Sequence, residues 1–134
     1  MISDASMAML HVLNIAFFTG HTAFIVFNLT GWAFQRTRKL HLLCLGATMF
    51  SWFVMGAVKG MGYCLCTDWH FQIRRQLSLP VNVHSYIQLM AEVFFGLKVD
   101  RMTSDILAGG GLLVLLVITL IAWTRSPFQN RSTT

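Results

Sequence analysis

Histidines and cysteines stand out in an otherwise apolar chain, and their spacing marks two places where chemistry is conceivable. His11, Asn14, His21 and Asn28 occupy positions i, i+3, i+10 and i+17. At 100° per residue they project within an arc of about 100° and form one polar stripe along a helix. Such a stripe offers histidine ligands to a haem or chlorophyll, with His21, His11 and His41 as candidates. His21 falls near the middle of its helix and His41 opens the next. The two therefore differ by roughly 15–20 Å along the membrane normal, which opposes a bis-histidine haem within one chain. A single histidine ligand stays open. The structural alternative is hydrogen bonding between helices, each bond contributing about 0.6–2 kcal/mol.

The second place is Cys64, Cys66 and His70, at the end of the second apolar run. Thiolate and imidazole suit copper or zinc. A C-x-C followed by one histidine gives three ligands and lacks the paired C-x2-C spacing of structural zinc sites. The alternative is a cysteine packed at a helix end and an interfacial histidine. A Cys64–Cys66 disulfide would close a tight, strained ring, and three cysteines do not make a secreted-type disulfide framework. Lys59 lies one turn inside the end of the second run, where it can snorkel or pair with Glu92. Arg74 and Arg75, beside Trp69 and Phe71, read as contacts to lipid headgroups. No nucleophile–base pair, phosphate loop or H-E-x-x-H stands in the sequence, so the expectation is a protein that is not an enzyme.

The elements that hold these residues follow from hydropathy. Of 134 residues, 55% are hydrophobic and 11% charged, and mean hydropathy is +0.61. An ordinary soluble domain carries roughly 25% charged residues, and disorder needs low hydrophobicity. A bilayer is the solvent left. Apolar spans are expected at about 7–34, 40–63 and 106–123, with Arg125 and Pro127 stopping the last. The net charge of +5 falls in short clusters between spans, which fits the positive-inside bias and no nucleic-acid partner.

Two short amphipathic helices are expected between the second and third spans. One covers about 67–78, with Thr67 as N-cap and Pro80 ending it. The other covers about 83–97, with Ser85, Gln88 and Glu92 opposite the apolar face and Gly96 as stop. The second helix lies on the membrane or against the bundle, with a fourth span as its alternative. The fold class is thus an all-α membrane protein: three transmembrane helices plus one or two short interfacial helices, forming a single domain over 1–134.

On the second span His41, Cys44, Thr48, Ser51, Trp52 and Lys59 also project within about 100°, so the two leading spans are expected to meet along their polar stripes. Gly56 and Gly60 form a small-xxx-small pair for close approach. Arg36, Arg38, Lys39, Arg125 and Arg131 gather on one side, against Arg74, Arg75, Lys98 and Arg101 with all five acids on the other. Trp32 and Trp123 mark the first boundary and Trp69 the second. This places the N-terminus outside and the C-terminus in the cytoplasm. The leading residues lack the basic region of a cleavable signal peptide.

His21-x-x-Phe24-x-x-Phe27, Gly31, Lys39-Leu40-His41-Leu42, Trp52, Gly62-Tyr63-Cys64-x-x-Thr67 and Ile73-Arg74 span most of the chain. Together they resemble a family of small bacterial integral membrane proteins catalogued as a domain of unknown function. Its members carry an H-x-x-F-x-x-F first helix and a G-W/Y-x-C-x-x-T turn after the second. Here Leu65-Cys66 stands where the family often has Pro-Leu, and Asp68-Trp69-His70 departs from the usual turn. The resemblance implies an embedded helical protein and carries across no activity, cofactor or catalytic residue.

Three functions compete. The first is a non-catalytic accessory or scaffolding subunit, whose partners are the lipid bilayer and either other membrane subunits or further copies of the chain. The second is a cofactor- or metal-binding redox protein using the intramembrane histidines or Cys64, Cys66 and His70. The third is an oligomeric pore lined by the polar stripe. The identity of any cofactor is not fixed by the sequence.

Overall fold

The computed structural model describes residues 4–60 and 63–125. The expectations resting on the first three residues and on Gly62, Pro127 and Arg131 lie outside the described residues. Five helices follow one another: α1 (Asp4–Thr30), α2 (Arg38–Lys59), α3 (Leu65–Gln76), α4 (Tyr86–Phe95) and α5 (Arg101–Thr124). No strand occurs among the described residues.

The spans α1, α2 and α5 contain 27, 22 and 24 residues. At 1.5 Å per residue these are about 40, 33 and 36 Å, each enough to cross a hydrocarbon core of about 30 Å. The chain is therefore a multi-span, all-α membrane protein, with two shorter helices between its second and third spans. At 10 residues, or about 15 Å, α4 is half the length needed to cross, which removes the fourth-span alternative.

Local chemistry sets the helix ends. The α1–α2 turn is tight because Gly31 is buried. A Cβ there would stand 2.8 Å from the Phe27 carbonyl oxygen and 3.1 Å from the His41 ring. Thr37 Oγ1 closes the turn by donating to the Gly31 carbonyl at 2.8 Å. Gly96 ends α4 at φ 64°, a left-handed position that glycine occupies without a Cβ penalty. Gly60 is the C-cap of α2 at φ 104° and faces the Arg101 guanidinium. The expected Gly56/Gly60 interhelical pair is thus corrected: Gly60 terminates its helix and has no place in a helix-packing stripe.

After α2 the chain turns back into the bundle. The Leu65 backbone N–H donates to Ser51 Oγ at 3.1 Å, and Ser51 lies eight residues, about 12 Å, inside the end of α2. From that depth α3 climbs back outward, antiparallel to α1: Cys64 meets His21 and, further along, His70 meets Asn14. α3 is the main packing partner of α1, ahead of α2. The helix also starts earlier than expected. Its N-cap is Cys64, with Thr67 as the backbone donor to it, and it ends at Gln76, ahead of Pro80.

α4 then packs on α5. The Ser85 and Ser104 hydroxyls hydrogen-bond, and Gln88 Nε2 donates to the Val99 carbonyl at 2.9 Å. At the other end Arg38 Nη1 donates to the Ala122 carbonyl at 3.0 Å, tying the end of α5 to the α1–α2 turn. A small core of Tyr63, Phe71, Tyr86 and Leu89 lies where α3, α4 and the loop after α2 converge, with Phe18, Ile25 and Met55 against it. The spans themselves bury little: 6%, 11% and 17% of their most apolar windows are inside the protein. The rest of their surface suits lipid.

Candidate functional site

The α1 stripe is polar because its residues have protein partners, and those partners come mostly from α3 and α4. His21 Nε2 lies 3.5 Å from Cys64 Sγ. Its ring stacks on Tyr86 with centroids 3.9 Å apart and planes at 28°. The Tyr86 hydroxyl donates to the Phe18 carbonyl at 2.8 Å. Its single proton is spent there, so in the 2.9 Å contact with Thr22 Oγ1 threonine is the donor. Nearly two turns further along α3, His70 is fully buried. Its Nε2 stands 2.9 Å from Asn14 Oδ1, Phe17 stacks on the ring and Phe18 meets it edge-on. Burial first, and the Arg74 charge second, pull the His70 pKa down to about 4. The ring is neutral at pH 7 and carries its proton on Nε2, donated to Asn14.

Cys64 is held from three sides. Besides His21 it accepts the Thr67 backbone N–H at 3.4 Å and contacts Thr67 Oγ1 at 3.0 Å. This replaces the usual oxygen N-cap by sulfur. A cysteine and an imidazole thus meet across 43 residues, a pairing that no local spacing reveals. All three cysteines are free thiols.

The expected meeting of the α1 and α2 stripes is corrected in part. It holds at the α1–α2 turn, where buried His41 donates from Nε2 to the Asn28 carbonyl at 2.8 Å. Asn28 Nδ2 reaches Thr48 Oγ1 at 3.5 Å nearby. Beyond that level α3 supplies the partners of both helices: Asn14 and His21 bond to it from α1, Ser51 and Lys59 from α2. Lys59 Nζ binds Asp68 Oδ1 at 2.8 Å, so the Lys59–Glu92 pair is also corrected, and Glu92 is exposed. The returning α3 puts Asp68 beside Lys59, where Glu92 on α4 does not come.

The remaining candidates separate. His11 is exposed on α1, while His41 and His21 sit at different levels with different partners. Cys64 turns to His21, Cys66 is exposed, and His70 turns to Asn14. Among the described residues no group of three or more histidine, cysteine, aspartate or glutamate side chains is arranged to hold a metal ion.

Asp68 is the charged hinge of this region. Lys59 first, with Tyr63 and Gln72, holds its carboxyl below the ordinary value of 3.8, against a smaller opposing effect of burial. A folded-state value below the unfolded one stabilises above 3.8, and that contribution disappears as pH falls through the lowered value. The thermal midpoint in detergent is expected to drop between about pH 5 and pH 2, and the Asp68 share of that drop to vanish in Asp68→Asn.

The family described as Protein of Unknown function (DUF2784) matches residues 4–123. No curated protein and no solved structure matches the chain.

Proposed function

The chain belongs to the DUF2784 family of small integral membrane proteins, and we propose that this protein is a non-catalytic accessory or scaffolding subunit of a larger membrane assembly. The observation that carries the reading is the glycine run of α5. A Cβ built on Gly109, Gly110 or Gly111 meets nothing within 4 Å. Small residues in membrane helices let a second backbone approach closely, and among the described residues nothing packs against the Cβ positions of these three. The histidines support the same reading, because the Nε2 atoms of His41 and His70 are spent on internal acceptors.

Orientation follows from charge. Arg38 reaches the end of α5, so Arg36, Arg38, Lys39 and Arg125 gather at one end of the bundle. Lys59, Arg74, Arg75, Lys98 and Arg101 stand towards the other end. The reading rests on Arg36, Arg38 and Lys39 clustering at the short α1–α2 turn, which by the positive-inside rule puts that end in the cytoplasm and the N-terminus outside.

Native mass measurement from mild detergent tests the subunit reading. The chain is expected to travel with other membrane subunits, and a stable lone monomer overturns the proposal. Gly110→Leu fills space that is open within the chain. It is expected to weaken assembly by about tenfold or more, as one obstructed helix contact of about 1.4 kcal/mol would, with the monomer's thermal midpoint unchanged.

A further inference from the structure

A cavity of about 450 Å³ opens where the end of α2, the end of α3 and the loop before α4 meet. Its polar wall is Lys59, Tyr63, Arg75, Asn82 and His84, and Phe71 and Val83 line its apolar side. One carboxylate stands next to it: Asp68, already bound to Lys59 at 2.8 Å and to the Tyr63 hydroxyl at 2.9 Å. That pair cancels the Lys59 charge. The Arg75 guanidinium makes no ion pair among the described residues and is exposed. The neighbouring Arg74 does not line the cavity and donates to the Pro80 carbonyl at 3.1 Å, so Arg75 is the uncompensated charge of the wall. The cavity is therefore net cationic, with an apolar flank.

Its depth is equally telling. α2 is about 33 Å long and carries Arg38 and Lys39 at one end and Lys59 at the other, so its two basic ends bracket one hydrocarbon thickness. Arg75 comes ten residues after Leu65, about 15 Å further out along α3, which returns it to the level of Lys59. The cavity thus sits at the level where phosphate groups of the lipid lie, and its apolar side is backed by the core through Phe71.

We propose that this cavity is a binding site for a phosphate monoanion, supplied by the headgroup of an anionic phospholipid. Arg75 is the principal cation, and Asn82 and His84 are the neighbouring donors. The proposal is independent of the scaffolding reading, since it requires no protein partner.

The test uses the full-length protein in phosphatidylcholine vesicles, with and without phosphatidylglycerol, reading the thermal midpoint and the lipid retained in native mass spectra. Phosphatidylglycerol is expected to be retained over phosphatidylcholine and to raise the midpoint. Arg75→Gln is expected to weaken that retention about fivefold, the effect of removing one juxtamembrane cation. Lys98→Gln, an equal loss of charge on an exposed residue outside the cavity, should leave retention intact. Equal losses in the two variants would mean diffuse attraction and overturn the site, as would an unchanged Arg75→Gln. Inorganic phosphate added to phosphatidylcholine vesicles separates the two sources of the anion. If it raises the midpoint as far as phosphatidylglycerol does, the ligand is the free ion and the lipid assignment falls.

Discussion

Replacing His70 by alanine is expected to destabilise the folded protein by about 2–4 kcal/mol, the range for emptying a large buried site and stranding its polar partner. The ring is fully buried, lies between Phe17 and Phe18, and is the bonded partner of Asn14 across 56 residues. Without it the Asn14 carbonyl oxygen loses its donor in surroundings that offer no water. The same change unpins α3 from α1, the most extensive helix contact in the protein. Unfolding in a rising mole fraction of denaturing detergent gives the measurement. Asn14→Ala and the double variant complete a cycle whose coupling energy should be about 1 kcal/mol. A loss below about 0.5 kcal/mol for His70→Ala, the scale of an ordinary surface substitution, would mean that α3 docks without this bond.

That result bears on how much of the molecule was written in the sequence. Hydropathy located the three spans, because 20-odd apolar residues with basic ends have one solution in a bilayer. The helical period put Asn14, His21 and Asn28 on one face, and the cost of exposing them to lipid required them to meet protein. The partner was illegible. A stripe states that something polar faces it, not which helix does. The second span offered a matching stripe, but the actual partners of Asn14 and His21 are His70 and Cys64, on an element whose hydropathy reads as a surface helix. Its return into the bundle depends on Gly60 at φ 104° and on Ser51 receiving the first N–H of α3. Both are tertiary facts. Tyr86 likewise looked like one more apolar-face residue, and its stacking on His21 leaves no local trace.

The pairing scheme also explains how so little buried area can hold five helices. Between spans in lipid there is no hydrophobic gain from contact, since acyl chains are as apolar as the helix surfaces. Association rests on packing and on polar bonds that lipid cannot replace. Four of the helix junctions carry such bonds. His41 with Asn28 joins α1 to α2, His70 with Asn14 joins α1 to α3, Tyr86 with Phe18 and Thr22 joins α4 to α1, and Ser85 with Ser104 joins α4 to α5. Two of the five histidines, His41 and His70, serve in this way as fasteners between helices.

The α4–α5 junction gives the second large effect. Gln88→Ala is expected to cost about 2–3 kcal/mol, because one side chain serves three backbone groups. Its Oε1 accepts the N–H groups of His84 and Ser85 at 2.7 and 3.0 Å, and its Nε2 donates to the Val99 carbonyl at 2.9 Å. The first two bonds complete a capping box with Ser85, and losing a cap costs about 0.5–2 kcal/mol. The third leaves a part-buried carbonyl without its donor, at about 1 kcal/mol or more, and the non-additivity of neighbouring losses brings the total below the sum of the largest values. Helical periodicity placed Gln88 and Ser85 with Glu92 on the polar, outward face. They are instead buried at 7% and 2% exposure, while Val93 and Phe94 are 53% exposed. Ser-x-x-Gln ahead of an apolar run was the local signal for this cap, and it outweighs the periodicity because the box turns both side chains back onto the backbone. Gln88→Glu is the discriminating companion, since a carboxylate keeps the two acceptor bonds but loses the donor to Val99 and sets a buried charge against that carbonyl. At pH 7 it should recover less than half of the alanine loss in the same detergent titration. It should gain on the alanine variant as the pH falls, because a protonated carboxyl accepts from the two N–H groups and donates to Val99 as the amide does. A glutamate variant that tracks the alanine one at every pH would sink the three-bond account of this side chain.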